Sequence, residues 1–197
     1  GGRKEGANPA ARGRATREGE GSGACVFAGM EGSRPLLVEI KALVAPSYMS
    51  SPRRAVVGWD AGRLAMILAV LETRCGIRFS DKEVYLSVAG GIRVGEPAAD
   101  LAVAAALLSA LYDLPVPAGS VMFGEIGLSG EIRAVSRMDA RLKEAEKLGF
   151  KAAYLPKTGA RNATSKSLTL ALKHGETVSS LARELFGAAS RKKTLPA

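Results

Sequence analysis

The sequence predicts a single α+β (mixed α/β) domain, and three observations predict it. Short β-rich segments alternate with stretches whose apolar residues recur at helical spacing. The chain of 197 residues is 47% hydrophobic, enough for one well-buried core and the length of one domain with tails. No internal repeat or low-complexity array interrupts the body.

The elements follow in order. Residues 1–22 are rich in Gly, Ala, Arg and Glu without apolar periodicity, which predicts a flexible basic tail or linker. A hairpin is expected from residues 24–30 and 35–44 around the turn Glu31-Gly32-Ser33. A loop between Pro46 and Pro52 leads to the short segment 53–57. Asp60 is a good N-cap; Leu64, Ile67, Leu68 and Leu71 then share one helical face, and Gly76 closes the helix. A strand is expected over residues 84–89, ending at Gly90-Gly91. Pro97 suits the first turn of a helix reaching Tyr112 that is apolar almost all round and therefore central. Residues 121–126 and 131–135 read as a second hairpin across Gly127 to Gly130, followed by a charged helix (138–148) and a short strand (152–155). A last strand is expected at 168–172, a last helix at 178–186 and a basic C-terminal tail over 188–197, which leaves a domain of residues 23–187.

Charge and composition narrow the function classes. The formal charge is +9, but residues 1–20 carry five Lys/Arg against three Asp/Glu and the last eleven residues three against none, so the body is mildly basic. Such a balance favours contact with nucleic acid only weakly. Cys25, Cys75 and the single His174 lack the spacing of a zinc site or a disulfide framework, so no metal and no cofactor is expected in this chain. The longest apolar run, residues 101–108, is far too short to span a bilayer, and no signal-peptide core is present; a soluble cytoplasmic protein without membrane contact is the expectation.

Four blocks carry a resemblance: Gly32-Ser-Arg-Pro-Leu-Leu-Val-Glu-Ile-Lys-Ala-Leu-Val44, Pro52-Arg-Arg-Ala-Val-Val-Gly-Trp-Asp60 with Arg63-Leu-Ala-Met66, Gly90-Gly-Ile-Arg-Val-Gly-Glu-Pro-Ala-Ala-Asp-Leu-Ala102, and Phe123-Gly-Glu-Ile-Gly-Leu-Ser-Gly-Glu-Ile-Arg133 continued by Arg141-Leu-Lys-Glu-Ala-Glu-Lys-Leu-Gly-Phe150. Over residues 24–156 they resemble the C-terminal, Lon-protease-like domain of the RadA (Sms) family of bacterial DNA repair proteins. The resemblance implies a Lon-protease-like fold. It also implies a role in recombinational repair and branch migration, as hexamerisation scaffold and DNA-binding surface. The implied partners are further copies of the chain in a ring, DNA, and the RecA recombinase. In that family ATP, Mg and Zn belong to domains N-terminal to this one.

Lon-type proteases place a serine at the start of the central helix and a lysine after the Gly-Glu-Ile hairpin. Laid on this chain, the serine's place is Ala98 and the lysine's falls near Asp139. Without a nucleophilic atom at Ala98 the dyad has no attacking group, so a proteolytically inactive domain is expected. Ser87, Ser109, Ser129 and Ser136 lie off the motif position; an active serine-lysine peptidase with a displaced dyad is the alternative, and an assembly module unrelated to DNA another. Arg53, Arg54 and Arg93 sit in loops beside Pro and Gly, where guanidinium groups suit phosphate contacts. Ion pairs with Glu96, Asp100 or Asp60 are the structural reading of the same arginines. Trp59, Tyr85 and Phe123 are expected to pack in the core, and Lys143 and Lys147 to pair with Glu144 and Glu146 on a solvated helix face.

Overall fold

In the computed structural model, which describes residues 21–157 and 168–194, the chain forms nine strands and four α-helices among those residues. The first hairpin is present and longer than expected: β1 (Ala24–Glu31) and β2 (Arg34–Pro46) pair antiparallel from Ala24↔Lys41 to Glu31↔Arg34. The short β3 (Arg54–Val57) leads into α1 (Ala61–Cys75), whose two ends are those the caps predict. The Asp60 carboxylate accepts the Arg63 N–H at 3.0 Å, and Gly76 closes the helix in the left-handed conformation at φ 68°. β4 (Lys82–Val88) pairs antiparallel with β2 and parallel with β3.

Between β3 and α1 the chain turns at Gly58, with φ +82°. A Cβ there would lie 2.6 Å from the Ile92 carbonyl oxygen and 2.8 Å from the Val88 side chain, so only glycine fits. The Gly58 carbonyl also accepts the Val94 N–H at 2.9 Å, fixing the Gly-Gly loop that follows β4 against the end of β3.

Pro97 starts a single 3₁₀ turn, Pro97–Ala99, which passes into α2 (Asp100–Tyr112). As its all-round apolar sequence predicts, α2 is buried along nearly its whole length, packed on β1, β2, α1 and α4. Tyr112 at its end meets Phe186 of α4 with ring centroids 5.8 Å apart.

The second hairpin differs from expectation. Its first half divides: β5 (Ser120–Met122) joins the main sheet between β1 and β8, while β6 (Glu125–Ile126) turns away to pair with β7 (Ile132–Arg133). The break lies at Gly124, whose N–H bonds the Ala98 carbonyl at 2.8 Å and whose carbonyl accepts the Leu101 N–H at 3.0 Å. A Cβ at Gly124 would lie 2.8 Å from the Ile132 side chain. The sheet thus exchanges ladder pairing here for bonds that seat the start of α2.

α3 (Met138–Lys147) and β8 (Ala152–Pro156) fall where expected. The last strand does not: β9 spans Ala171–Gly175 and not residues 168–172. Its partner decides the register, because β8 begins at Ala152, which faces Ala171, and the alternating leucines before it pack as a loop with Leu170 buried. α4 (Val178–Thr194) bends at Phe186 and continues past the expected end, through residues 188–194 that were expected as tail. Residues 1–20 of the expected N-terminal tail and residues 195–197 lie outside the described residues.

The main sheet orders its strands β3-β4-β2-β1-β5-β8-β9, with both antiparallel and parallel neighbours. A mixed α/β domain is therefore the architecture. Trp59 and Phe123 are buried as expected, while Tyr85 is half-buried and donates its hydroxyl to Glu83 at 3.0 Å. The solvated face of α3 departs from expectation: the Glu146 carboxylate, instead of pairing with a lysine, accepts both the N–H and the hydroxyl of Thr169 at 2.6 Å. Among the described residues no helix is long and apolar enough to cross a membrane.

Candidate functional site

The start of α2 is where three parts of the chain converge. Gly124 holds the backbone of Ala98 and Leu101, the hairpin end at Met30 lies opposite, and the loop before α3 closes the third side. Between them is a cleft of about 450 Å³ with Ala98 on its wall. Ala98 is 3% exposed, and its methyl group offers no atom that attacks, accepts or donates.

The position named for the lysine does not enter this cleft. Asp139 is half-buried in the first turn of α3 and lies off the cleft wall. Its place is taken by Arg137 and, one turn further into the helix, Arg141. Arg137 is exposed and holds φ 57°, a left-handed conformation rare for a residue with a side chain.

Arg141 is the most consequential residue that sequence reasoning missed. Its side chain is 2% exposed, and it lies between the rings of Phe27 and Phe123, 5.9 and 5.8 Å from their centroids. A guanidinium so far from water must have its donors met inside the protein. Nε donates to the Ser136 carbonyl at 2.9 Å, and Nη1 to the Ala28 carbonyl at 2.9 Å and to the Glu96 carboxylate. Glu96 in turn accepts the Met30 N–H at 3.1 Å. One ion pair thus joins β1, the turn before α2 and α3 beside Ala98.

A fully buried carboxylate opens α2. Asp100 is fully buried, receives Arg63 in a two-pronged pair and accepts the Ile126 N–H at 3.0 Å. Burial pushes its carboxyl above the ordinary aspartate range, while the hydrogen bond from Arg63 pulls the other way. The acids named as structural partners for Arg53, Arg54 and Arg93 are therefore engaged elsewhere: Glu96 by Arg141, Asp100 by Arg63, and Asp60 by the first turn of α1.

The three arginines do not form one cluster. Arg54 opens β3 opposite Val84, and its guanidinium is bound to the carbonyls of Phe79 (2.8 Å) and Lys82. Arg53 is exposed beside it, with its carbonyl fixed by the Val84 N–H. Arg93 is exposed in the loop against Gly58, at the opposite end of β3 and roughly 13 Å away at strand rise.

Of the serines, Ser136 lines the cleft, and its carbonyl already serves Arg141. Ser109 is buried, accepting the Gly23 N–H at 2.8 Å and donating to the Leu114 carbonyl. Ser87 and Ser129 are exposed on β4 and in the turn before β7. Among the described residues no lysine lines the cleft, so no serine there stands beside a basic amine. Cys25 is fully buried, and burial pushes its thiol far above the ordinary range; Cys75 is half-buried at the end of α1. His174 is exposed near the end of β9, its Nδ1 3.2 Å from the Pro156 carbonyl.

Comparison with known proteins fits this geometry into a family. Residues 61–159 match the family model described as ChlI, subunit ChlI of Mg-chelatase, a span running from α1 past β8. A DNA repair protein RadA of Brucella abortus is 62% identical over 156 residues, covering 79% of this chain and 33% of that protein. RadA of Rickettsia bellii is 59% identical over 134 residues (68% of this chain, 30% of the relative), and RadA of Aquifex aeolicus 53% over 136 (69% and 31%). The chain spans about a third of the length of these curated relatives. The resemblance carried by the four sequence blocks is thereby shown: the chain is similar to the bacterial DNA repair proteins RadA, and it belongs to the ChlI family.

Proposed function

We propose that this chain is a proteolytically inactive, Lon-like domain of a RadA-type DNA repair ATPase, serving as a hexamerisation scaffold with a DNA-contacting surface in recombinational repair and branch migration. One observation carries the reading: Ala98, which the resemblance sets in the nucleophile's place, lies on a cleft braced by the pair of the buried Arg141 with Glu96. A guanidinium stays charged at any working pH and accepts no proton, so Arg141 cannot replace a general base. The groups that would run acyl transfer are replaced by groups that hold three elements together.

The remaining parts of the reading follow from the relatives' name and from exposed charge. Repair is the role their name states, Arg53 and Arg93 are exposed with no side-chain partner among the described residues, and a phosphate backbone is the ligand such groups suit. ATP, Mg and Zn belong in this reading to other parts of a longer protein, the RecA recombinase is a further partner, and the cytoplasm is the compartment. The test combines two measurements. Incubation with unfolded casein and with a fluorophosphonate probe is expected to give neither cleavage nor labelling, and labelling lost on changing Ser136 or Ser109 to Ala would establish the displaced-dyad peptidase instead. Sedimentation across a concentration series is expected to show self-association; a strictly monomeric profile would remove the scaffold half.

A further inference from the structure

The loop from residue 47 to 53 carries an aromatic side chain that neither the core nor the Ala98 cleft uses. Tyr48 is 98% exposed, the most exposed large apolar side chain among the described residues, and Met49 beside it is 57% exposed. An isolated exposed apolar residue means little, but a tyrosine almost wholly in water, on a loop with a rigid base, is different.

The base is rigid for identifiable reasons. β2 and β3 lie on either side of β4, so the loop arches over the start of β4 across two strand spacings, about 10 Å. Its entry is tied by the Ser47 N–H to the Asp81 carbonyl at 3.0 Å, and its exit by the Val84 N–H to the Arg53 carbonyl at 2.9 Å. Arg54 locks the exit again through the Phe79 and Lys82 carbonyls. Within the arch the Met49 N–H bonds the Ser47 hydroxyl at 3.3 Å. Pro46 and Pro52 bound it and further reduce its freedom.

The surrounding charge selects the occupant. Arg53 is exposed, and no hydrogen bond or ion pair among the described residues engages its side chain; Arg78, adjacent to the Phe79 that anchors Arg54, is likewise exposed. Of the nearby acids, Asp81 is paired with Lys82 at 3.4 Å, while Glu83 accepts the neutral Tyr85 hydroxyl and keeps its charge. Arg53, Arg54, whose partners are neutral carbonyls, and Arg78 outnumber Glu83, so the charge around the loop is positive on balance. A two-fold contact centred on this loop would bring two positively charged faces together, which opposes that occupant, and a head-to-tail contact is separated by the sedimentation arm of the test. An unpaired nucleotide needs a flat face for its base and a cation for its phosphate, and a duplex, whose bases are already stacked, gains nothing from the former.

We propose that Tyr48 and Arg53 form a stacking platform for unpaired nucleotides, Tyr48 taking a base and Arg53 an adjacent phosphate. The proposal rests on the DNA-contacting part of the function proposed above and adds strand type and residues to it. The test measures binding of the whole chain to fluorescent oligo-dT and to a duplex of equal length over a salt series. Tyr48→Ala is expected to weaken oligo-dT binding between about 5- and 100-fold, the range of one lost base stack, with duplex binding and salt slope unchanged. Tyr48→Trp is expected to restore it. Arg53→Ala should weaken both ligands and reduce the salt slope by about one ion's worth. Oligo-dT binding unchanged by Tyr48→Ala, with Arg53→Ala still weakening it, overturns the platform and leaves the DNA reading standing. No binding of either ligand at low salt overturns both. If Tyr48→Ala instead reduces self-association in sedimentation, the loop is a subunit contact and the platform is wrong.

Discussion

The Arg141–Glu96 pair makes an asymmetric prediction. Glu96→Ala leaves the guanidinium 2% exposed, pressed between Phe27 and Phe123, with two carbonyls and no counter-charge. Breaking a buried pair from one side costs about 3–5 kcal/mol, and because the Glu96 side chain is 23% exposed and screened by water in the cleft, the lower end, about 3 kcal/mol, applies. Arg141→Met removes the cation instead and fills most of its volume. Glu96 then keeps the Met30 N–H and cleft water, and the chief loss is the hydrogen bonds to the Ala28 and Ser136 carbonyls, about 2 kcal/mol. With both changes no charge is stranded, so the double variant should stay near 2 kcal/mol, well short of the roughly 5 kcal/mol of two independent losses. Trp59, the single tryptophan and 5% exposed, reports unfolding in urea. At a slope of about 2 kcal/mol per M, the midpoint should fall by about 1.5 M for Glu96→Ala and about 1 M for the other two. Additive midpoints, with the double variant at the sum, would show that the two side chains do not act as a coupled pair and would refute the account of the cleft as a brace.

The remaining predictions concern single contacts. Gly58→Ala places a methyl 2.6 Å from the Ile92 carbonyl at φ +82° and should lower stability by about 2 kcal/mol in the same titration; a loss under about 0.5 kcal/mol would show that the turn relaxes freely. The two bonds from Thr169 hold the Glu146 carboxyl below its ordinary value of 4.5, so the stability they add is fully present above that value and lost as pH falls through the lowered folded one. Thr169→Val should therefore be less stable than the parent at pH 7 by a difference that shrinks through the acid range, and a difference unchanged from pH 7 to pH 3 refutes the assignment.

How much of this was legible in the sequence depended on where the deciding information lay. α1 was readable to the residue because Asp60, the apolar face and Gly76 are local signals that nothing distant overrides. β9 was misplaced by three residues because the alternation of Leu168, Leu170 and Leu172 is equally satisfied by a packed loop, and only the start of β8 sets the register. The second hairpin was read as continuous because Gly124 looks like an ordinary strand residue; its two bonds to the backbone of Ala98 and Leu101 come from 23 to 26 residues earlier in the chain. Tyr48 carried one usable signal, an aromatic set between two prolines in a stretch without apolar periodicity, where burial has no partner to offer.

The cleft shows the same division in chemical form. In the proposed reading the absence of a nucleophile rests on one residue, Ala98, and is legible locally. What fills the vacated role is not visible, because Arg141 sits in a charged helix whose sequence reads as solvent-facing, and its burial requires Phe27 from β1, Phe123 after β5 and Glu96 before α2 to converge on it. A charged residue is driven inside only when several distant partners make the site polar enough to hold it. On that reading, a cleft without a nucleophile has no use for a titratable base. A permanently charged group that ties β1 to α2 and α3 can then occupy it, at the cost of any proton transfer there. Arg141 thus joins β1, the turn before α2 and α3 through bonds that need no change of protonation, which is what the proposed scaffold role asks of this cleft.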